Sequence, residues 1–205
     1  MAFERDRQRE RIVRAAEALL ERDGTAALKA RALAEASDVT VGTVYGMFGS
    51  MDRVLDAVLA RAVDRLRNAA AGFGPAGGGD RRAALLGLAE IHLDFVSDRA
   101  NVAGALLARP SRGEGHAAGS DYFGHVVGLV DAALRGTALD AGDAGRREAA
   151  MMVWSGVHGI VALNAEPGAA AEQLDAARRQ IALLVDAVLG IETGGSAEGR
   201  EPRVC

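Results

Sequence analysis

Apolar residues recur every three or four positions along nearly the whole chain, a period that suits helices and not strands. Residues 6–22 set Ile12, Ala16 and Leu19 on one stripe with Val13 and Leu20 beside it, and Gly24 supplies a stop. Residues 29–36 form a short helix around Leu33 and Ala34. Thr40 caps another that runs to Met47 or Phe48. Ser50 caps a longer one, with Asp52 in its first turn and Val54, Leu55, Val58, Leu59 and Ala62 on its apolar face. The same period continues through 80–98, 100–108, 121–135, 144–165 and 170–190. In the last segment Leu174, Ala177, Ile181, Leu184 and Val188 make a seam for lengthwise packing on another helix. Only 4% of the 205 residues are aromatic, and runs of β-branched residues are scarce. The fold class expected is all-α.

The pattern breaks at Gly72-Phe-Gly-Pro-Ala-Gly-Gly-Gly79, which divides the chain into a helix-turn-helix unit and a helical bundle. The expected domains are 1–50 with a connecting helix 51–70, then 80–191, then a disordered tail over 192–205. Gly72, Gly74 and Gly77 also satisfy GxGxxG, but a dinucleotide site needs a preceding strand. Here both flanks read as helical and Pro75 interrupts the motif, so a linker is the expectation. Residues 110–120, beginning with Pro110, read as a mobile loop.

The chain carries 24 basic and 28 acidic residues, a net charge of −4, which excludes a protein that coats nucleic acid over its whole surface. Arg5, Arg7, Arg9 and Arg11 alternate with acidic or polar residues. They make either a solvated helix face or a phosphate-contacting arm. The single cysteine, Cys205, rules out a disulfide within one chain or a CxxC metal site. A charged N-terminus without a signal peptide, and the lack of any apolar run long enough for a membrane span, lead to the expectation of a cytoplasmic protein.

The informative stretch is Leu33 to Asp52. Leu33 and Ala34 turn a first short helix inward, Val39 plugs the turn, and Val44 and Phe48, four apart, bury the inner face of a second. Thr40, Val41, Gly42, Thr43, Tyr45 and Gly46 remain nearer the outer face. They are small and polar with one tyrosine, which suits a helix that must approach another surface closely, as in a DNA major groove. The hydroxyls of Thr43 and Tyr45 can bond phosphates.

Residues 8–58 resemble the TetR family of bacterial regulators, through Leu33-Ala34-Glu35-Ala36, Val39-Thr40, Gly42-Thr43-Val44-Tyr45, Phe48 and Ser50 at the family's spacing. Four positions depart from it. Lys29 replaces a capping Ser or Thr, Asp38 a turn glycine, Met47 a common His, and Met51 a Lys that looks like a phosphate contact in the family. Lys29 or Arg53 is a candidate to compensate for Met51. The residues expected against DNA are Lys29, Arg31, Thr40, Val41, Gly42, Thr43, Tyr45, Gly46 and Ser50. Trp154-Ser-Gly-Val-His-Gly159 is similar to the signature of the "WHG" type of TetR C-terminal domain.

The resemblance implies a homodimer on a palindromic operator, joined through helices near 144–165 and 170–190. It also implies a cavity for a small-molecule effector. Side chains that place polarity or aromatic area on apolar stripes are the ligand candidates: His92, Phe95, Tyr122, Phe123, Met151, Trp154 and His158. Trp154 and His158, one turn apart, are either core anchors or pocket walls. Together the set favours a hydrophobic or aromatic effector. His92, His116, His125 and His158 form no close pair at metal-ligand spacing, so no metal or other cofactor is expected. No GxSxG, HExxH or Walker sequence is present, so no enzyme is expected either. The expected function is a repressor released by its effector. The alternative is an all-α binding protein with degenerate DNA binding.

Overall fold

The structure is a computed structural model that describes residues 2–73, 80–108, 117–165 and 169–191, with the side chains of 2, 107 and 117–121 left aside. Among these residues all regular structure is helical. The α-helices are α1 (Ala2–Asp23), α2 (Ala30–Ala36), α3 (Val41–Phe48), α4 (Met51–Ala70), α5 (Arg81–Asp98), α6 (Ala100–Leu107), α7 (Ala117–Ala133), α8 (Gly142–Asn164) and α9 (Ala171–Leu189). Thr25–Ala27 and Ala71–Phe73 are single 3₁₀ turns.

Local chemistry accounts for several of the helix ends. The α1 helix stops at Gly24, whose φ of 74° is a backbone state that glycine adopts at little cost. Thr40 caps α3 by accepting from the Thr43 N–H at 3.1 Å, and Ser50 caps α4 by accepting from the Arg53 N–H at 3.2 Å. Asp80 caps α5 twice, accepting from the N–H groups of Arg82 and Ala83. Lys29 begins α2 with no side-chain cap, as the departure at that position implies.

Between α2 and α3 the chain turns through Asp38 at φ 52°, the only positive-φ non-glycine among the described residues. A left-handed backbone costs an ordinary L-residue about 1–2 kcal/mol, less for Asp. Replacing Asp38 with Gly is therefore expected to raise stability by about 0.5–1 kcal/mol, and Asp38→Val to lower it. Urea unfolding midpoints of the two variants check both signs.

Buried side chains form one cluster running from Ile12 to Val185. The α1 helix packs on α2, α4 and α6, while α4 also lies along α5 and α7. The α8 helix packs between α7 and α9, and α5 packs on α6, α7, α8 and α9. Thus α4 and the α5–α6 corner connect the first three helices to the bundle. At the start of α5 a Cβ on Gly87 would overlap the Phe73 ring, so glycine is what lets the turn after α4 lie on α5. Buried Arg146 on α8 donates to Asp131 of α7 at 3.1 Å and to Asp140 and Asp143 at 2.9 and 2.8 Å, tying the α7–α8 connection together. No helix among the described residues is long and apolar enough to cross a membrane. Gly74–Gly79, most of the 110–120 loop, His116, the 192–205 tail and Cys205 lie outside the described residues.

Candidate nucleic-acid interface and effector site

Leu33 and Ala34 bury α2, and Val44 and Phe48 bury one side of α3, leaving the opposite side of α3 to solvent. On that outer side Tyr45 is 46% exposed and Val41 39% exposed, with Gly42 and Gly46 beside them. A Cβ at Gly46 would meet nothing within 4 Å, and one at Gly42 would reach only the Thr40 hydroxyl at 3.7 Å. Both glycines lie at ordinary negative φ. Each costs about 1 kcal/mol of helix propensity relative to Ala. Nothing among the described residues requires either one.

Lys29 and Arg31 are exposed at the N-terminal turn of α2, and Ser50 is half-buried at the start of α4. The Thr43 hydroxyl pairs with that of Thr40 at 2.9 Å, so it is held in the α3 cap. Met47 and Met51 are half-buried against the core, while Arg53 is exposed two residues on, beside Gly49. In α1, Arg9 lays its guanidinium 5.0 Å over the Phe48 ring, and Arg7 lies 5.8 Å over that of Phe3. At helical spacing Arg5 and Arg9 lie on one side of α1 and Arg7 and Arg11 on the other, with Arg9 reaching the end of α3.

Beneath this surface is a cluster that the sequence did not reveal. Glu17 of α1 is only 6% exposed. Arg65 of α4 donates to both of its carboxylate oxygens at 2.6 and 2.9 Å, and Arg61 lies 3.4 Å away. Arg99, at the α5–α6 corner, donates to Glu17 and to Glu21, and Asn101 donates to the Glu21 carbonyl at 2.9 Å. Burial raises the Glu17 pKa, but the hydrogen bonds from Arg65 and Arg99 outweigh it and hold the carboxyl below its ordinary range. A signal did exist. Glu17 stands four residues after Val13 and three before Leu20, on an apolar stripe where a lone acid needs partners.

In the bundle, His92 of α5 is 3% exposed, and its Nε2 lies 2.9 Å from Nδ1 of His158 on α8. Its ring centroid is 5.1 Å from Trp154, 5.1 Å from His158 and 6.3 Å from Tyr122 of α7. Burial, and then the charge of His158, lower the His92 pKa to about 3. Burial also lowers that of His158 and raises that of Tyr122. Both imidazoles are therefore neutral near pH 7. Among the described residues His92 Nδ1 has no hydrogen-bond partner, and neither does the buried Nε2 of His125. Four of the seven ligand candidates thus meet in one place. Phe95 is buried one turn beyond His92. Phe123 and Met151 are exposed, and no ring contact joins Phe123 to the cluster. The pairing of two histidines 66 positions apart was not legible in the sequence.

The family profile described as "Bacterial regulatory proteins, tetR family" matches residues 12–58. No curated protein matches the chain by sequence. Among solved structures, a transcriptional regulator from Rhodococcus sp. Rha1 is similar with a TM-score of 0.74 and 19% identity, over 89% of this chain and 96% of that one. A TetR-family transcriptional regulator from Streptomyces coelicolor is similar with a TM-score of 0.62 and 22% identity, over 89% and 99%. The multidrug binding protein EbrR complexed with malachite green is similar with a TM-score of 0.62 and 21% identity, over 86% and 96%. Residues 12–58 thus carry the helix-turn-helix sequence of the tetR family, and the chain shares its all-helical fold with such regulators along nearly its whole length.

Proposed function

We propose that this protein is a homodimeric transcriptional repressor that reads DNA with the outer face of α3 and releases it on binding a small hydrophobic or aromatic effector. The observation that carries the reading is the pair Gly42 and Gly46. They lie one turn apart and face outward, and nothing among the described residues needs them to be glycine. Bare backbone on an exposed helix makes sense when another surface must come close. Tyr45 and Val41 beside it can reach base edges or sugars, while Lys29, Arg31, Thr40, Thr43 and Ser50 lie around it where phosphates would run.

Dimerisation is supported by large apolar side chains left bare on α8 and α9. Met152 is 72% exposed, Leu163 83% and Leu183 58%. Two such faces joined about a two-fold axis would set both α3 helices about 34–36 Å apart, one turn of DNA. The cluster of His92, Tyr122, Trp154 and His158 is the proposed effector site, and the malachite green held by EbrR illustrates a small aromatic guest in this fold. The division into a DNA-binding unit over 1–50, a connecting helix 51–70 and a ligand and dimer unit over 80–191 belongs to the same proposal.

Coupling would run along α5, which carries His92 within the site and ends at Arg99 on Glu17 and Glu21 of α1. An effector that shifts α5 changes how the DNA-reading helices are held, and DNA must weaken the effector by the same factor. The rival is an effector-binding protein that has lost DNA binding, favoured by Met51 and the net charge of −4.

A gel shift on DNA flanking the protein's own gene separates the two. A discrete complex that an effector dissolves supports the repressor. No complex at low salt, from a folded dimer, supports the rival. In the same assay Met51→Lys is expected to tighten binding and to steepen the log–log salt slope by about one, because one more phosphate is neutralised. An unchanged slope would mean that α4 starts away from the DNA backbone.

A further inference from the structure

The His92–His158 pair constrains what the effector can be. A 2.9 Å contact between His92 Nε2 and His158 Nδ1 uses one proton, so the two neutral rings have two arrangements. If His92 Nε2–H donates, His92 Nδ1 is a buried acceptor with nothing to accept. If His158 Nδ1–H donates, His92 Nδ1–H is a buried donor with nothing to donate to. Either way a polar atom on a side chain 97% removed from solvent lacks a partner among the described residues, which is unfavourable. A ligand group that can both give a proton and then accept a hydrogen bond would repair it.

The surroundings decide the sign of that group. From α7 His92 is faced by Tyr122. From α8 it is faced by Trp154 and His158 itself. The acids of the packed helices are engaged elsewhere or exposed. Glu90 and Asp94 of α5 turn to Arg178 of α9, Asp186 of α9 to Arg82, and Asp131 of α7 to Arg146, while Asp64 of α4 and Glu148 of α8 are exposed. Among the described residues no carboxylate is placed to neutralise a cation at the imidazoles, and no arginine or lysine holds an anion there in advance. Among the described residues the proton is the only counter-charge at hand.

Resting on the effector site proposed above, we infer that the physiological effector is an aromatic or hydrophobic acid, a carboxylic acid or an acidic phenol, bound with uptake of one proton by the His92–His158 pair. The O–H hydrogen of the acid passes to His92 Nδ1. The ligand becomes an anion accepting from that N–H, and His92 becomes an imidazolium whose Nε2–H donates to the His158 Nδ1 lone pair. When the anion arrives from neutral solution, the proton comes from solvent. Before binding, burial keeps both rings neutral, so the uptake belongs to the complex. Lowering the pH then strengthens binding, up to tenfold per unit. A cationic aromatic gains no partner and keeps its desolvation cost.

Trp154 is the only tryptophan in the chain and touches His92, so its fluorescence reports on the site. The test uses three matched probes on the full-length protein: para-tert-butylbenzoate, the corresponding benzyl alcohol and the benzylammonium. Quenching gives affinities, and calorimetry in phosphate and in Tris gives protons taken up. The benzoate is expected to bind at least tenfold more tightly than the ammonium, with uptake of about one proton between pH 6 and 7. In His92→Phe that uptake and the pH dependence should vanish. His158→Asn, at a half-buried position, should lower both and serves if the first variant does not fold. Benzylammonium binding as tightly as benzoate, or benzoate binding without proton uptake, would overturn this inference and leave the effector site standing. No response of Trp154 to any probe at millimolar concentration would remove the site and the inference together.

Discussion

Gly46→Ala is expected to make the free protein more stable and the DNA complex weaker. Alanine in place of an exposed helical glycine gains about 0.5–1 kcal/mol, and the added Cβ would meet nothing in the chain. Against DNA the same methyl group would hold the backbone of α3 away from the groove. Loss of even one well-placed base contact costs about 1–3 kcal/mol, so operator affinity should fall about 5- to 150-fold. Gly42→Ala should act in the same direction. Gly104→Ala, at an exposed α6 glycine that is equally free of neighbours, is the control: it should stabilise without touching DNA affinity. Thermal melts with fluorescence anisotropy on one duplex measure both quantities. A stabilised Gly46→Ala protein with unchanged DNA affinity would place the contact surface elsewhere.

The second large effect is expected at Glu17. Glu17→Gln keeps the shape but leaves Arg61, Arg65 and Arg99 converging on a neutral amide. Removing one partner of a buried ion pair costs about 3–5 kcal/mol, and the partly exposed arginines bring this toward about 2–3 kcal/mol. For a chain of this size the melting temperature should drop by about 5–10 °C. The pH dependence has a definite sign. Because Glu17 is held below its ordinary value of 4.5 in the folded state, the stabilisation is complete above that pH. It fades as the pH falls through the lowered value. The gap between wild type and Glu17→Gln should therefore be constant from pH 6 to 8 and close in acid. A gap that persists in acid would show that the charge is not what stabilises. The variant should also blunt effector-induced release, since Arg99 would no longer bind α1 firmly to the end of α5.

Much of this molecule was legible in its residues, and the limits have a physical pattern. Thr40, Ser50 and Gly24 act within a few positions of themselves, so their effects could be read locally, and all three end or begin helices as expected. Val44 and Phe48 follow the helical period and are buried. Asp38 adopts the left-handed backbone implied by the glycine usually found there. What escaped are relations between distant segments. Arg99 is 82 positions from Glu17 and His158 is 66 from His92, and no local period encodes either pairing. The charges on α1 leave both a solvated face and a phosphate-contacting arm open, because sequence shows spacing and not what lies opposite. Met151 and Phe123 sat on apolar stripes yet are exposed. A stripe says that a face is apolar and is silent on whether this chain or a second subunit covers it.

The decisive measurement is selection of bound duplexes from a random pool at about 50 mM salt, using the full-length protein. A two-fold symmetric sequence should emerge, with half-sites about one helical turn apart or a multiple of it, and Gly46→Ala should fail to enrich it. A pool that stays random under those conditions, from a folded protein, would contradict the claim that the outer face of α3 lies against base pairs.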